Sequence, residues 1–113
     1  IAAVSQAVAI GDRRPYVVAL LTVDPTRVAA EAERSGSPAR TPDEAARCPV
    51  FRVHVEKQVE EINKSLARYE SIKKITLLPQ ELSVENGELT PTLKLKRRVI
   101  LERHKDAIEA LYA

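Results

Sequence analysis

Between Glu85 and Ile100 the chain reads ENGELTPTLKLKRRVI, which places Lys94, Lys96, Arg97 and Arg98 in one short run. Ammonium and guanidinium groups at that density suit an anion. Asn86-Gly87 tolerates the positive φ angles of a tight hairpin turn, with Leu82–Glu85 and Glu88–Thr90 as its arms. Pro91 stiffens the exit, and Thr92 predicts the cap of a helix beginning near Leu93, with Leu95, Val99 and Glu102 along one face. Lys94 would then stand at a helix mouth, where free N–H groups and the positive helix end also favour an anion. Composition alone reads the same run as a solvated basic face.

The other chemically capable residues are scattered. His54 and His104 are far apart and lack carboxylates at ligand spacing, which reads as exposed or helix-face histidines. Cys48 precedes Pro49 at a helix start, the position of a small semi-buried residue or a reactive thiol. It is the single cysteine, so no internal disulfide and no Cys-rich metal site can form. Tyr16, Tyr69 and Tyr112 follow no regular spacing and read as core or rim aromatics. Glu60-Glu61 is a solvated pair, because adjacent helical residues point different ways. Nothing resembles a glycine-rich phosphate loop or a dinucleotide fingerprint. No metal site is expected.

The elements that must position these groups follow from periodicity. Val4–Ile10 is a short strand and Gly11-Asp12 a turn, with Arg13-Arg14-Pro15 continuing it. Tyr16–Val23 is a nearly continuous apolar run, the pattern of a central strand covered on both faces and antiparallel to the first. Asp24-Pro25 ends it. Thr26–Glu33 has helical composition, and Ser35-Gly36-Ser37-Pro38 reads as an exposed loop. Thr41-Pro42-Asp43-Glu44 carries a capping box with proline at the first helical position. After Pro49, the residues Phe51, Val55, Val59, Ile62 and Leu66 predict a helix whose apolar stripe packs on the sheet, with Lys57, Glu60, Glu61, Lys64 and Arg68 mostly off it. Ile75–Leu78 is a third strand closed by Pro79, and a last short helix carries Ile108 and Leu111. The expected class is α+β: a small three-stranded sheet with an additional short hairpin, flanked by helices.

The chain as a whole fits one domain over residues 1–113. With 113 residues, 44% hydrophobic and 30% charged, it can bury a core. A net charge of +2 names no partner. Aromatics make up only 4%, against the interleaved aromatics usual in nucleic-acid readers. No apolar run approaches the ~18 residues of a membrane span. The chain opens at Ile1 inside a strand-like segment and contains no methionine, so it is expected to be a piece of a larger protein.

Three stretches carry a resemblance: Ile72-Lys73-Lys74-Ile75, then Leu78-Pro79-Gln80-Glu81-Leu82, then Glu88-Leu89-Thr90-Pro91-Thr92-Leu93-Lys94-Leu95-Lys96-Arg97-Arg98. They closely resemble the C-terminal domain of long-chain fatty acid–CoA ligases, in the adenylate-forming superfamily. Gln6 to Tyr16 is similar to the first hairpin of that domain. The likeness covers nearly the whole chain, and Thr26–Arg47 is its least diagnostic part.

The resemblance implies a parent enzyme that converts a long-chain fatty acid, ATP and CoA, with Mg2+, into acyl-CoA, AMP and diphosphate. The ATP and acyl sites would lie in an N-terminal domain of the same polypeptide, and this domain would be its rotating lid. Lys94 matches the lysine of the superfamily's terminal Gly-Lys-x-x-Arg motif and Arg97 its arginine, and Leu93 stands where many relatives have glycine. In the family that lysine contacts the fatty acid carboxylate and the α-phosphate while acyl-AMP forms. The turn around Gly11 becomes the candidate face for CoA, beside its simpler reading as a hairpin glycine. The isolated chain is expected to be inactive and to bind no cofactor. The resemblance further implies a cytoplasmic protein, peripheral to the membrane if its lipid substrate draws it there, with no nucleic acid and no transmembrane segment. The alternatives are a basic anion- or nucleic-acid-binding module and a stand-alone interaction domain.

Overall fold

The computed structural model describes residues 3–11, 14–66 and 71–112. It divides into two compact units, Ile1–Glu81 and Leu82–Ala113. Asp12, Arg13, Arg68 and Tyr69 lie outside the described residues.

The first unit is a three-stranded sheet with three helices. Strand β1 (Val4–Ile10) pairs antiparallel with β2 (Val17–Val23), Val8 opposite Leu20. Strand β3 (Ile72–Leu78) pairs parallel with β2, Leu20 opposite Thr76, so β2 is central. Every residue from Val18 to Val23 is buried, as its unbroken apolar run requires. The third strand begins at Ile72, earlier than its apolar residues suggest: Ile72 pairs with Val17 and Lys74 with Val18, the register shifts past Lys73, and both lysines are exposed.

The helices are α1 (Val28–Ser35), α2 (Pro42–Arg47) and α3 (Pro49–Asn63). They share one core with alternate strand residues: Val28 and Ala32, Ala45, then Phe51, Val55 and Val59, against Ala19, Leu21, Val23, Ile75 and Leu77. Helix α1 starts later than Thr26. The Asp24 carboxylate takes the Thr26 N–H at 2.9 Å and its hydroxyl at 2.7 Å, fixing a turn before the helix. Those two bonds, foremost the hydroxyl's, hold the Asp24 pKa below its ordinary value.

Helix α2 shows the expected cap. Glu44 N–H donates to Thr41 Oγ1 at 3.2 Å, and Glu44 Oε1 accepts from the Arg40 N–H at 3.0 Å. The loop before it is not simply exposed. Gly36 takes φ +80° at the end of α1, and Ser37 is buried, its hydroxyl accepting the Ala39 N–H at 3.1 Å.

The stripe on α3 holds for Phe51, Val55 and Val59 but not beyond. Ile62 is 43% exposed, and Leu66 lies past the helix end, half-buried. Past Val59, contact with the sheet passes to Asn63 rather than Ile62. Asn63 Nδ2 donates to Ile72 O at 2.8 Å and Asn63 Oδ1 accepts the Ile72 N–H at 3.0 Å, locking the start of β3.

The second unit holds two turns and two helices, α4 (Arg97–Arg103) and α5 (Lys105–Tyr112). Ile100, Ile108 and Leu111 are buried. The hairpin expected at Asn86-Gly87 has moved. Gly87, at φ +76°, closes a turn in which the Glu88 and Leu89 N–H groups both reach Ser83 O at 3.1 Å, and no strands flank it. The antiparallel pairing lies further on, between Leu89 and Leu95. Thr92 therefore caps no helix, and α4 begins at Arg97 rather than near Leu93. Val99 is half-buried and Glu102 exposed, so Ile100 leads the buried face.

Candidate functional site

The hairpin tip is built by Thr-Pro-Thr-Leu. Leu93 N–H donates to Thr90 O at 2.8 Å, a turn with Pro91 at its second position, where fixed φ is preorganised. Lys94 is then tied to Thr90 twice. Its N–H donates to Thr90 Oγ1 at 3.1 Å, and its carbonyl accepts the Thr90 N–H at 2.9 Å. The two hydroxyls of Thr90 and Thr92 lie 3.1 Å apart. A three-residue hairpin of this kind needs a left-handed residue after the turn, and Leu93 fills it at φ +65°. Glycine is the usual occupant of that conformation.

Lys94 thus sits on the returning arm of a hairpin, not at a helix mouth. It is exposed, and among the described residues no carboxylate pairs with its ammonium. Leu93 is 69% exposed and Leu95 45%, so the cation is flanked by apolar side chains that face solvent. Along the arm, the strand period of two puts Lys94 and Lys96 on one face. Lys94 is next to the tip, whereas Lys96 closes the base, its N–H on Glu88 O at 2.8 Å. Arg97 and Arg98 are exposed at the start of α4.

Glu88 is the residue that sequence reasoning missed here. It is 2% exposed, and its carboxylate is satisfied by the Ser83 N–H at 3.3 Å, His104 Nε2 at 2.6 Å and Arg103 Nε at 3.5 Å. His54 behaves in parallel, its Nε2 3.0 Å from the buried Glu31 carboxylate. Neither histidine is an exposed bystander. Glu31 gave a signal, since it falls beside Val28 and Ala32 on the buried face of α1; Glu88 gave none, lying in a turn.

Gly11 belongs to the first unit and the Lys94 hairpin to the second. Its carbonyl accepts the Arg14 N–H at 3.1 Å, and a Cβ there would come within 3.0 Å of Val17 Cγ2, so close packing favours glycine. A cleft of about 400 Å³ is lined by Gly11, Arg14, Tyr16 and Lys73 among others. Lys74 Nζ lies 5.8 Å from the Tyr16 ring centroid. Among the described residues, no cluster of three His, Cys, Asp or Glu could hold a metal, and no helix is long and apolar enough to cross a membrane.

Residues 1–113 match the AMP-binding enzyme C-terminal domain family. The chain belongs to that family. The domain is 36% identical over 110 residues to the long-chain-fatty-acid–CoA ligase FadD15 of Mycobacterium tuberculosis, covering 96% of this chain and 18% of the relative. It is 34% identical over 126 residues to the human long-chain-fatty-acid–CoA ligase ACSBG1, covering 96% of the chain and 17% of that protein. The domain therefore spans less than a fifth of the length of these relatives. Among solved structures, the adenylation domain of a carboxylate reductase from Mycobacterium chelonae superposes with a TM-score of 0.64 at 24% identity, covering 97% of the chain and 16% of that structure. At that identity the likeness shows the fold.

Proposed function

We propose that this domain is the C-terminal lid of an ATP-dependent long-chain fatty acid–CoA ligase, and that Lys94 is its adenylation lysine. The observation that supports this most is the Thr90–Leu93 turn, beside which the exposed Lys94 ammonium has no carboxylate partner among the described residues. In the reaction, the fatty acid carboxylate attacks the α-phosphate of ATP and diphosphate leaves. Two anions must meet, and a fixed ammonium between them offsets their repulsion and holds them in line. Lys94 would fill that place, and the flanking Leu93 and Leu95 would lower the local dielectric around it. Arg97 would add positive charge toward the nucleotide.

In the second half-reaction the CoA thiol attacks the acyl-adenylate, forming the thioester and releasing AMP. The cleft beside Gly11, with Arg14 and Lys73, suits an anionic group and is the surface we assign to CoA. ATP, its Mg2+ and the acyl chain would otherwise be held by the N-terminal domain of the same polypeptide. Cytoplasmic location follows as part of this reading.

The reading predicts ATP- and CoA-dependent thioester formation from a long-chain fatty acid by the complete polypeptide, and its loss when residues 1–113 are deleted. Unchanged turnover after deletion would refute it. A basic nucleic-acid-binding module is the weaker reading, because no aromatic accompanies the cations on the hairpin.

A further inference from the structure

Glu88 ties three parts of the second unit together. Its N–H and one carboxylate oxygen bind Ser83, closing the turn around Gly87 from both sides. Its carbonyl accepts the Lys96 N–H, closing the base of the Lys94 hairpin. Its other carboxylate oxygen accepts from His104 Nε2 at 2.6 Å, at the junction of α4 and α5. The carboxylate accepts, so Nε2 carries the hydrogen. Arg103 reaches the same oxygen at 3.5 Å but is half exposed, which leaves His104 as the close partner. A carboxylate this buried is expensive to leave unpaired. The pair therefore fixes where the hairpin leaves the helical part of the unit.

We propose that Glu88 and His104 are positioning residues for Lys94: their hydrogen bond clamps the hairpin base to the α4–α5 junction and so sets the direction in which Lys94 is presented. This rests on the assignment of Lys94 to adenylation. A group mispositioned by an ångström loses much of the advantage of orientation, whereas a purely structural bond would affect every step alike.

The test compares acyl-AMP formation with thioester formation from supplied acyl-AMP, in the complete polypeptide. His104→Ala is expected to slow the first about tenfold or more and the second by less than about twofold. His104→Gln, which keeps an N–H donor, should recover most of that loss. Glu88→Gln, which keeps the acceptor for Ser83, serves where His104→Ala fails to fold and should show the same selectivity. In a Lys94→Ala background, His104→Ala should add less than about twofold, because residues acting through one group are not additive. Equal loss in both half-reactions, or full additivity with Lys94→Ala, would overturn the positioning role. A slow Lys94→Ala beside a wild-type His104→Ala would overturn the clamp and leave the lysine assignment intact. Wild-type acyl-AMP formation in Lys94→Ala would overturn both.

Discussion

Thr90 and Lys94 are bonded to each other from both sides, Thr90 N–H to Lys94 O at 2.9 Å and Lys94 N–H to Thr90 Oγ1 at 3.1 Å. The first bond needs only backbone; the second needs a hydroxyl. Thr90→Val keeps the shape and removes the acceptor, at a stability cost of about 0.5–1.5 kcal/mol, the usual net worth of such a bond. Denaturant titration measures that cost. Acyl-AMP formation should fall more than thioester formation, since the lysine's own N–H is set loose.

Leu93 carries a backbone conformation that suits glycine. For an L-residue the left-handed region costs about 1–2 kcal/mol, partly offset by the extra freedom glycine would have when unfolded. Leu93→Gly is therefore expected to raise stability by about 0.5–1 kcal/mol, and Leu93→Val to lower it. The side chain is largely exposed, so its removal gives up little burial. Urea midpoints of the three proteins decide the matter, and a destabilised Leu93→Gly would contradict it.

These two positions show where the sequence was legible. Thr-Pro-Thr-Leu-Lys marks the candidate site but does not reveal its shape. Asn86-Gly87 carries the stronger hairpin signal, and leucine gives no hint of a positive φ. Turn chemistry is local, but which turn pairs strands depends on the Leu89–Leu95 bridge and on Glu88 being buried. The apolar run of β2 and the Thr41 cap were readable because burial on both faces and capping leave their mark residue by residue. The parallel pairing of β2 with β3 left none, since it joins segments separated by three helices.

Asn63 replaces Ile62 as the working end of α3. Asn63→Ala removes both bonds to Ile72 and leaves its N–H and carbonyl half-buried without those partners, costing about 1–3 kcal/mol. Ile62→Ser should stay within about 0.5 kcal/mol, as surface changes do. Thermal unfolding ranks the two. Amide exchange at Ile72 should quicken only in Asn63→Ala.

Cys48 lies 3.1 Å from the Ser37 hydroxyl, whose hydrogen bond, with those of the Phe51 and Val50 N–H groups, lowers the thiol pKa below its ordinary value. More of it is thiolate at neutral pH, so alkylation by iodoacetamide should begin at lower pH than for a free thiol. Ser37→Ala should move that profile upward. An identical profile in Ser37→Ala would show that the hydroxyl contributes nothing.

The central claim is that Lys94 acts in adenylation, and single-turnover acyl-AMP formation in the complete polypeptide tests it most directly. Lys94→Ala should slow that step by about 10²–10³, equivalent to ~3–4 kcal/mol of lost electrostatic stabilisation, with little change in stability. Thioester formation from supplied acyl-AMP should remain near wild type, and Lys96→Ala should affect neither step strongly. Equal loss in both half-reactions, or a larger adenylation defect in Lys96→Ala than in Lys94→Ala, would contradict the account.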